Sequence, residues 1–271
     1  MDNKIGFIGA GNMGYAMITS IAKSGIVPAE NVLVFDVDKD KLSVLKENAG
    51  ITISDSALET TQKADIIILA VKPNTVKAVL NDIKPAIDNN KILVSVAVGI
   101  PIKFYKNIIG EDKKFIRTMP NTPALVGEGM TLMCCDENVN QKEAEQVKKI
   151  FECFGKVEFL EEKLMSEVTA VTGSSPAYVF MFIEAMADAA VLSGIPRSLA
   201  YKLAAQAVLG SAKMVIETGK HPGELKDQVC SPAGTTIEAV RSLEKNRFRH
   251  AVIEAMDECT KKALEIGKMY D

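Results

Sequence analysis

The chain has 271 residues, 47% of them hydrophobic and 25% charged, with a formal net charge of −3 and a pI near 5.6. That composition excludes intrinsic disorder and leaves room for two folded cores. Lys and Arg are scattered, so there is no basic footprint for nucleic acid, and a small molecule is the expected partner.

The chain opens with "MDNKIGFIGAGNMG", where glycines break the apolar run and no arginine-rich preface stands, so a signal or transit peptide is not expected. The run "KIGFI" (4–8) predicts a strand, and the "YAMITSIAKSG" that follows the glycines predicts a helix. Between them lies Gly9-Ala10-Gly11-Asn12-Met13-Gly14, a G-x-G-x-x-G in the context that gives each glycine a task. Gly9 permits the tight turn, Gly11 lets backbone approach a pyrophosphate, and Gly14 lets the helix lie close on the strand. The helix N-terminus adds N–H groups and partial positive charge for phosphates.

A second strand, "VLVFD", ends at Asp36, about 20 residues beyond the glycines, where an acid hydrogen-bonds a ribose 2′-hydroxyl. A carboxylate there favours NADH over NADPH, while Lys39 and Lys41 just beyond it pull the other way. A helix over 39–48, a strand over 51–53, a helix over 55–63 and the apolar strand "DIIILAV" (65–71) continue the alternation. Further strands are expected at 92–98, 114–119, 129–135 and 156–160, giving a mainly parallel, doubly wound α/β sheet covered on both faces.

Ligands of such sheets bind outside the carboxyl ends of the strands. Two later strand ends therefore join the expected cofactor site: Ala70-Val71-Lys72-Pro73, and the "SVAVG" stretch with Ser95 and Ala97. Lys72 is read either as a ribose or phosphate contact or as a solvated lysine. In "MPNTPALVGEGMT" (119–131), Asn121 and Thr122 are candidates for hydrogen bonds to the nicotinamide or the substrate, with a loop-stabilising Asx turn as the equal alternative.

After about residue 162 the β-branched runs end and long Ala-, Met-, Leu- and Glu-rich stretches predict helices, so the expected domains are 1–162 and 163–271. "SPAYVFMFIEAMADAAVLSG" starts with cap-like Ser and Pro and ends at Gly194. The next stretch, "RSLAYKLAAQAVLGSAKMVIETG", is apolar around much of its circumference, which predicts burial against a second subunit, most simply in a homodimer. No uninterrupted apolar run approaches the roughly 18 residues of a membrane span, so a cytoplasmic protein without a membrane partner is expected.

Near the end, "DQVCSPAGTTIEAV" (227–240) sets Ser231, Thr235 and Thr236 around Pro232, Ala233 and Gly234, more hydroxyls than one helix cap requires. The odd count of five cysteines, with no C-x-x-C spacing, reads as reduced thiols, and two separated histidines offer no metal site.

Taken together, "IGFIGAGNMG", "MPNTPALVGEGMT", "TGSSPAYVFMFIEAMADAA" and "DQVCSPAGTTIEAV" closely resemble pyrroline-5-carboxylate reductases, and the likeness runs over essentially the whole chain. The resemblance implies a Rossmann domain joined to a helical dimerisation domain, assembled as a homodimer and often as five dimers in a decamer. It implies reduction of a cyclic imine acid to proline with NADPH or NADH. It also implies that Thr236 is the hydroxyl near the imine nitrogen, and that Ser231, Gly234 and Thr235, with Asn121 from the earlier loop, shape the substrate site. The family commonly has Gly where Ala233 stands; if that position needs positive φ, Ala strains the turn. A hydroxyacid dehydrogenase of similar layout is the nearest alternative, but it relies on a helical lysine, and none occurs from Ser174 to Ser193. A non-catalytic dinucleotide sensor is the second alternative, and such a protein has no use for the polar cradle.

Overall fold

A computed structural model describes residues 3–270. Met1, Asp2 and Asp271, at the outer ends of the two expected domains, lie outside the described residues. The chain divides into two compact units, one running to Gly173 and resuming at Thr260, the other Ser174–Cys259.

The first unit is built on an eight-stranded sheet. Its elements in chain order are β1 (Ile5–Ile8), α1 (Asn12–Ser24), β2 (Val32–Phe35), α2 (Lys39–Ala49), β3 (Thr52–Ile53), α3 (Ala57–Lys63), β4 (Ile66–Leu69), α4 (Pro73–Ile83), β5 (Ile92–Ser95), α5 (Ile102–Ile109), β6 (Lys114–Met119), β7 (Gly129–Cys135), α6 (Gln141–Phe151) and β8 (Gly155–Phe159). The strand order is β3-β2-β1-β4-β5-β6-β7-β8. Every neighbouring pair is parallel except β6–β7. That exception follows from the connection: β6 and β7 are joined by one short 3₁₀ turn, Thr122–Val126, with no helix to carry the chain back for a parallel return.

Continuous apolar strands reflect burial on both faces. Ile5, Ile66, Ile68, Ile92 and Val94 point into one core with Met17, Ile18 and Ile21 of α1, while Ile67, Leu69, Leu93 and Phe115 point into the other with Leu80 and Tyr105. Each such side chain contributes about 1.5–3 kcal/mol when fully buried. Where β6 meets β7, the buried Lys106 ammonium reaches Asp136 Oδ2 at 2.8 Å and the Lys113 carbonyl at 2.7 Å, and Asp136 also accepts the Phe115 N–H. With both ions paired and hydrogen-bonded, the cost of burying them is offset.

The second unit holds α7 (Ser175–Leu192), α8 (Arg197–Thr218), α9 (Pro222–Val229), α10 (Thr235–Lys245) and the first part of α11 (Phe248–Gly267), which runs on into the first unit. A single π-helical turn, Thr169–Gly173, precedes α7 and moves the helix cap to Ser174, with Pro176 in the first turn. Gly194, at φ +91°, ends that helix in the backbone region glycine favours.

α7 and α8 pack on each other through small residues: among the described residues Ala187 of α7 and Ala200 and Ala204 of α8 are the buried ones. Their large side chains point outward, with Phe180 60%, Met181 69% and Ile216 81% exposed. The stretch Thr169–Leu192 is long and apolar enough to cross a membrane by length and composition alone, although it is not an uninterrupted apolar run. Glu184 and Asp188 interrupt it.

Candidate active site

Because β1, β4, β5 and β6 are mutually parallel in the sheet, their carboxyl ends share one edge. Gly9 leaves β1 at φ +104°, and a Cβ there would stand 2.6 Å from the Ala70 carbonyl oxygen. A Cβ on Gly14 would strike the Gly9 carbonyl, whereas one on Gly11 would project into open space. Gly9 and Gly14 are therefore glycines for packing, and Gly11 is one for access. Gly11 caps α1 without any side-chain hydrogen bond, so the first N–H groups of the helix, at Asn12, Met13 and Gly14, have no cap oxygen over them.

A cavity of about 380 Å³ opens here, lined by Ala10, Gly11, Asn12, Tyr15, Asp38 and Lys41 among others. An open space over Gly11, in front of an uncapped helix, fits a dinucleotide pyrophosphate. Tyr15, one turn into α1 and 37% exposed, is a wall residue that the glycine pattern did not reveal.

Asp36 is tied to this loop. Its Oδ2 accepts the Ala10 N–H at 2.6 Å and its Oδ1 accepts the Asp38 N–H at 2.9 Å. Asp38 caps α2 and pairs with Lys41 at 3.1 Å, which holds the Asp38 carboxyl below its usual range. Lys39 is exposed.

At the end of β4, Ala70 donates its N–H to Ile8 and packs on Gly9, Val71 is half-buried, and Lys72 is exposed immediately before Pro73 opens α4. The end of β5 differs from expectation: Ser95 is 1% exposed and Ala97 4%. The Ser95 hydroxyl lies 2.7 Å from the buried Tyr105 hydroxyl and accepts the Ala97 N–H at 3.2 Å. Burial pushes the Tyr105 phenol well above its ordinary range. Ser95 thus shapes the turn from beneath, and Val98, 42% exposed, is the member of that turn most open to a ligand.

Asn121 is also committed within the protein. Its Nδ2 donates to the Thr172 carbonyl at 2.8 Å, and its Oδ1 accepts the Met130 N–H at 2.9 Å. Rather than forming a local Asx turn, it clamps the Pro-Asn-Thr-Pro loop to β7 on one side and to the π turn on the other.

The remaining candidates form a separate group in the second unit. Gly234 donates its N–H to the Ser231 carbonyl at 3.0 Å, closing a turn with Pro232 and Ala233 in the middle. Ala233 stands at φ 56°, the left-handed region, as the third residue of a type II turn requires. A Cβ on Gly234 would collide with the Ser231 hydroxyl. Gly234 caps α10 with no side-chain hydrogen bond, and among the described residues the hydroxyls of Ser231, Thr235 and Thr236 have no hydrogen-bond partner. Three unengaged hydroxyls therefore stand beside an uncapped helix start. His221, by contrast, caps α9 through Nδ1, which accepts the Gly223 N–H at 3.0 Å.

A mainly parallel sheet in this strand order, with a glycine loop entering an uncapped helix, is the fold of a dinucleotide-dependent oxidoreductase. Residues 162–266 match the family described as pyrroline-5-carboxylate reductase dimerisation, and residues 4–99 match the one described as NADP oxidoreductase, coenzyme F420-dependent. The chain is 52% identical to the pyrroline-5-carboxylate reductase of Escherichia coli, over 99% of this chain and 100% of that protein. Among solved structures it is similar to the Plasmodium falciparum pyrroline carboxylate reductase with NADP bound (TM-score 0.89, 37% identity, 98% of each chain). It is also similar to the Coxiella burnetii pyrroline-5-carboxylate reductase (TM-score 0.92, 30% identity, 98% of this chain and 99% of that one). The chain belongs to the pyrroline-5-carboxylate reductase family.

Proposed function

We propose that this protein reduces 1-pyrroline-5-carboxylate to L-proline at the expense of NAD(P)H, the last step of proline biosynthesis. The observation that carries the reading is the presence, in one chain 52% identical to such a reductase along its length, of an open pyrophosphate cradle and a separate turn rich in unengaged hydroxyls.

The bound dinucleotide supplies a hydride from the nicotinamide C4 to the carbon of the C=N bond, and the ring nitrogen ends with one proton more than the free imine carries. The protein's part is binding and orientation. Gly9 to Gly14 receive the pyrophosphate, with Ala70 to Pro73 and the 95–98 turn bordering it. The uncapped N–H groups at the start of α10 receive the substrate carboxylate, as helix starts do for anions. Thr236 orients the ring nitrogen, and Ser231, Gly234 and Thr235 shape the cradle. Asn121 supports the site by fixing the loop after β6. The substrate domain is taken as 163–271, assembling as a cytoplasmic homodimer and further as a decamer. The dimerisation match over 162–266 and the outward apolar faces of α7 and α8 support the dimer.

Comparing initial rates on pyrroline-5-carboxylate with those on 2- and 3-hydroxy acids tests the reading. Imine-dependent oxidation of NAD(P)H supports it, and turnover of hydroxy acids alone refutes it.

A further inference from the structure

Among the described residues, two buried side-chain oxygens have no hydrogen-bond partner, Ser54 Oγ and Thr172 Oγ1. Ser54 follows the edge strand β3. Thr172 lies in the π turn Thr169–Gly173, whose backbone is fixed at the carboxyl edge of β6. Its carbonyl accepts the Asn121 amide at 2.8 Å, and its N–H donates to Val168 at 3.1 Å. Thr169, in the same turn, gives the contrast: its hydroxyl donates to the Met165 carbonyl at 3.1 Å and lies 3.4 Å from the sulfur of Met119, the last residue of β6. One threonine of the turn is satisfied by the fold and the other is not. A buried hydroxyl without a partner is destabilising, and π turns recur where function retains them.

The strand order says which part of a bound dinucleotide lies nearby. With the pyrophosphate at the β1 turn and Asp36 at the end of β2, the ends of β4, β5 and β6 flank the nicotinamide half. We propose that the Thr172 hydroxyl is a hydrogen-bond acceptor for an N–H group of the reacting pair, either the nicotinamide carboxamide or the protonated ring nitrogen of the imine. Thr172 is itself partly exposed although its hydroxyl is buried, so the proposed bond requires that hydroxyl to turn about χ1 toward the ligand. The inference rests on the reductase reading above.

The test uses the full-length protein with Thr172→Val, which keeps the shape and removes the hydroxyl, and Thr172→Ser, which keeps the hydroxyl. Three quantities are read: the unfolding temperature without ligand, NAD(P)H affinity by fluorescence titration without imine, and kcat and KM for the imine. The valine variant is expected to unfold at the same or a higher temperature and to lose about tenfold in one of the other two readouts, with serine close to wild type. Loss in the titration assigns the bond to the carboxamide. A raised imine KM or lowered kcat with unchanged dinucleotide affinity assigns it to the ring nitrogen. A valine variant with wild-type affinity and kinetics overturns the inference, as does a clear fall in unfolding temperature, which would mean that the hydroxyl is already bonded in the fold. If the wild-type protein itself does not turn over the imine, the reductase reading fails, and the titration still decides whether Thr172 serves the dinucleotide.

Discussion

Asp36 Oδ2 accepts the Ala10 backbone N–H at 2.6 Å, so the acid at the end of β2 holds the glycine loop in place. Its second oxygen is taken by the Asp38 N–H. Asp36→Ala is therefore expected to loosen the pyrophosphate cradle and weaken NADH and NADPH by similar factors, on the order of tenfold each, since hydrogen bonds to a charged acceptor contribute about 1.5–3 kcal/mol. Titration of each dinucleotide checks this. A loss confined to NADH would make Asp36 a reader of the ribose instead.

Thr236→Ala is expected to lower kcat by one to three orders of magnitude, about the effect of removing a positioned hydrogen-bonding group, with dinucleotide affinity nearly unchanged. Gly234, not Thr236, caps α10, so stability should change little. Wild-type turnover in this variant would remove Thr236 from the site.

Ala233→Gly relieves a left-handed backbone at φ 56°. The left-handed conformation costs an L-residue about 1–2 kcal/mol, and glycine's extra freedom in the unfolded chain takes back about 0.5–1 kcal/mol. A net stabilisation of up to about 1.5 kcal/mol should appear in denaturant unfolding. A destabilised variant would show that the turn is held in some other way.

These three sites mark where the sequence was legible and where it was not. β6 and β7 fall on their predicted bounds because each is a buried run closed by turn residues. β5 ends at Ser95 rather than 98 because Val96, Ala97 and Val98 are apolar yet lie beyond the strand, and a connection whose Val96 and Ala97 pack on the two cores looks like a strand. Asp36 has the same spacing whether it faces a ribose or its own loop. Asn121 could not be assigned from its neighbours, because one of its partners, Thr172, lies 51 residues away. The Ala233 strain was legible through the resemblance, which places Gly there, and not from Pro232, because Pro in the second position suits type I and type II turns alike and only type II needs positive φ at the third.

Leu203→Glu and Leu209→Glu test the assembly. Both leucines are more than half exposed on the single chain, at 51% and 56%. A subunit interface over α8 would bury them, and an unpaired carboxylate there is costly. Light scattering should show the wild type as a dimer or a multiple of it and the variants dissociated and inactive. An active wild-type monomer would leave the outward apolar faces of α7 and α8 without a partner.

The most direct measurement follows the hydride. Purified protein is given pyrroline-5-carboxylate and NAD(P)H carrying deuterium at the nicotinamide C4 on the transferred face, and the product is analysed by mass spectrometry and NMR. The account predicts proline with one deuterium on the ring carbon that was double-bonded to nitrogen, formed in equal amount to the oxidised dinucleotide. Oxidation of the dinucleotide without labelled proline, or no oxidation at all, would contradict it.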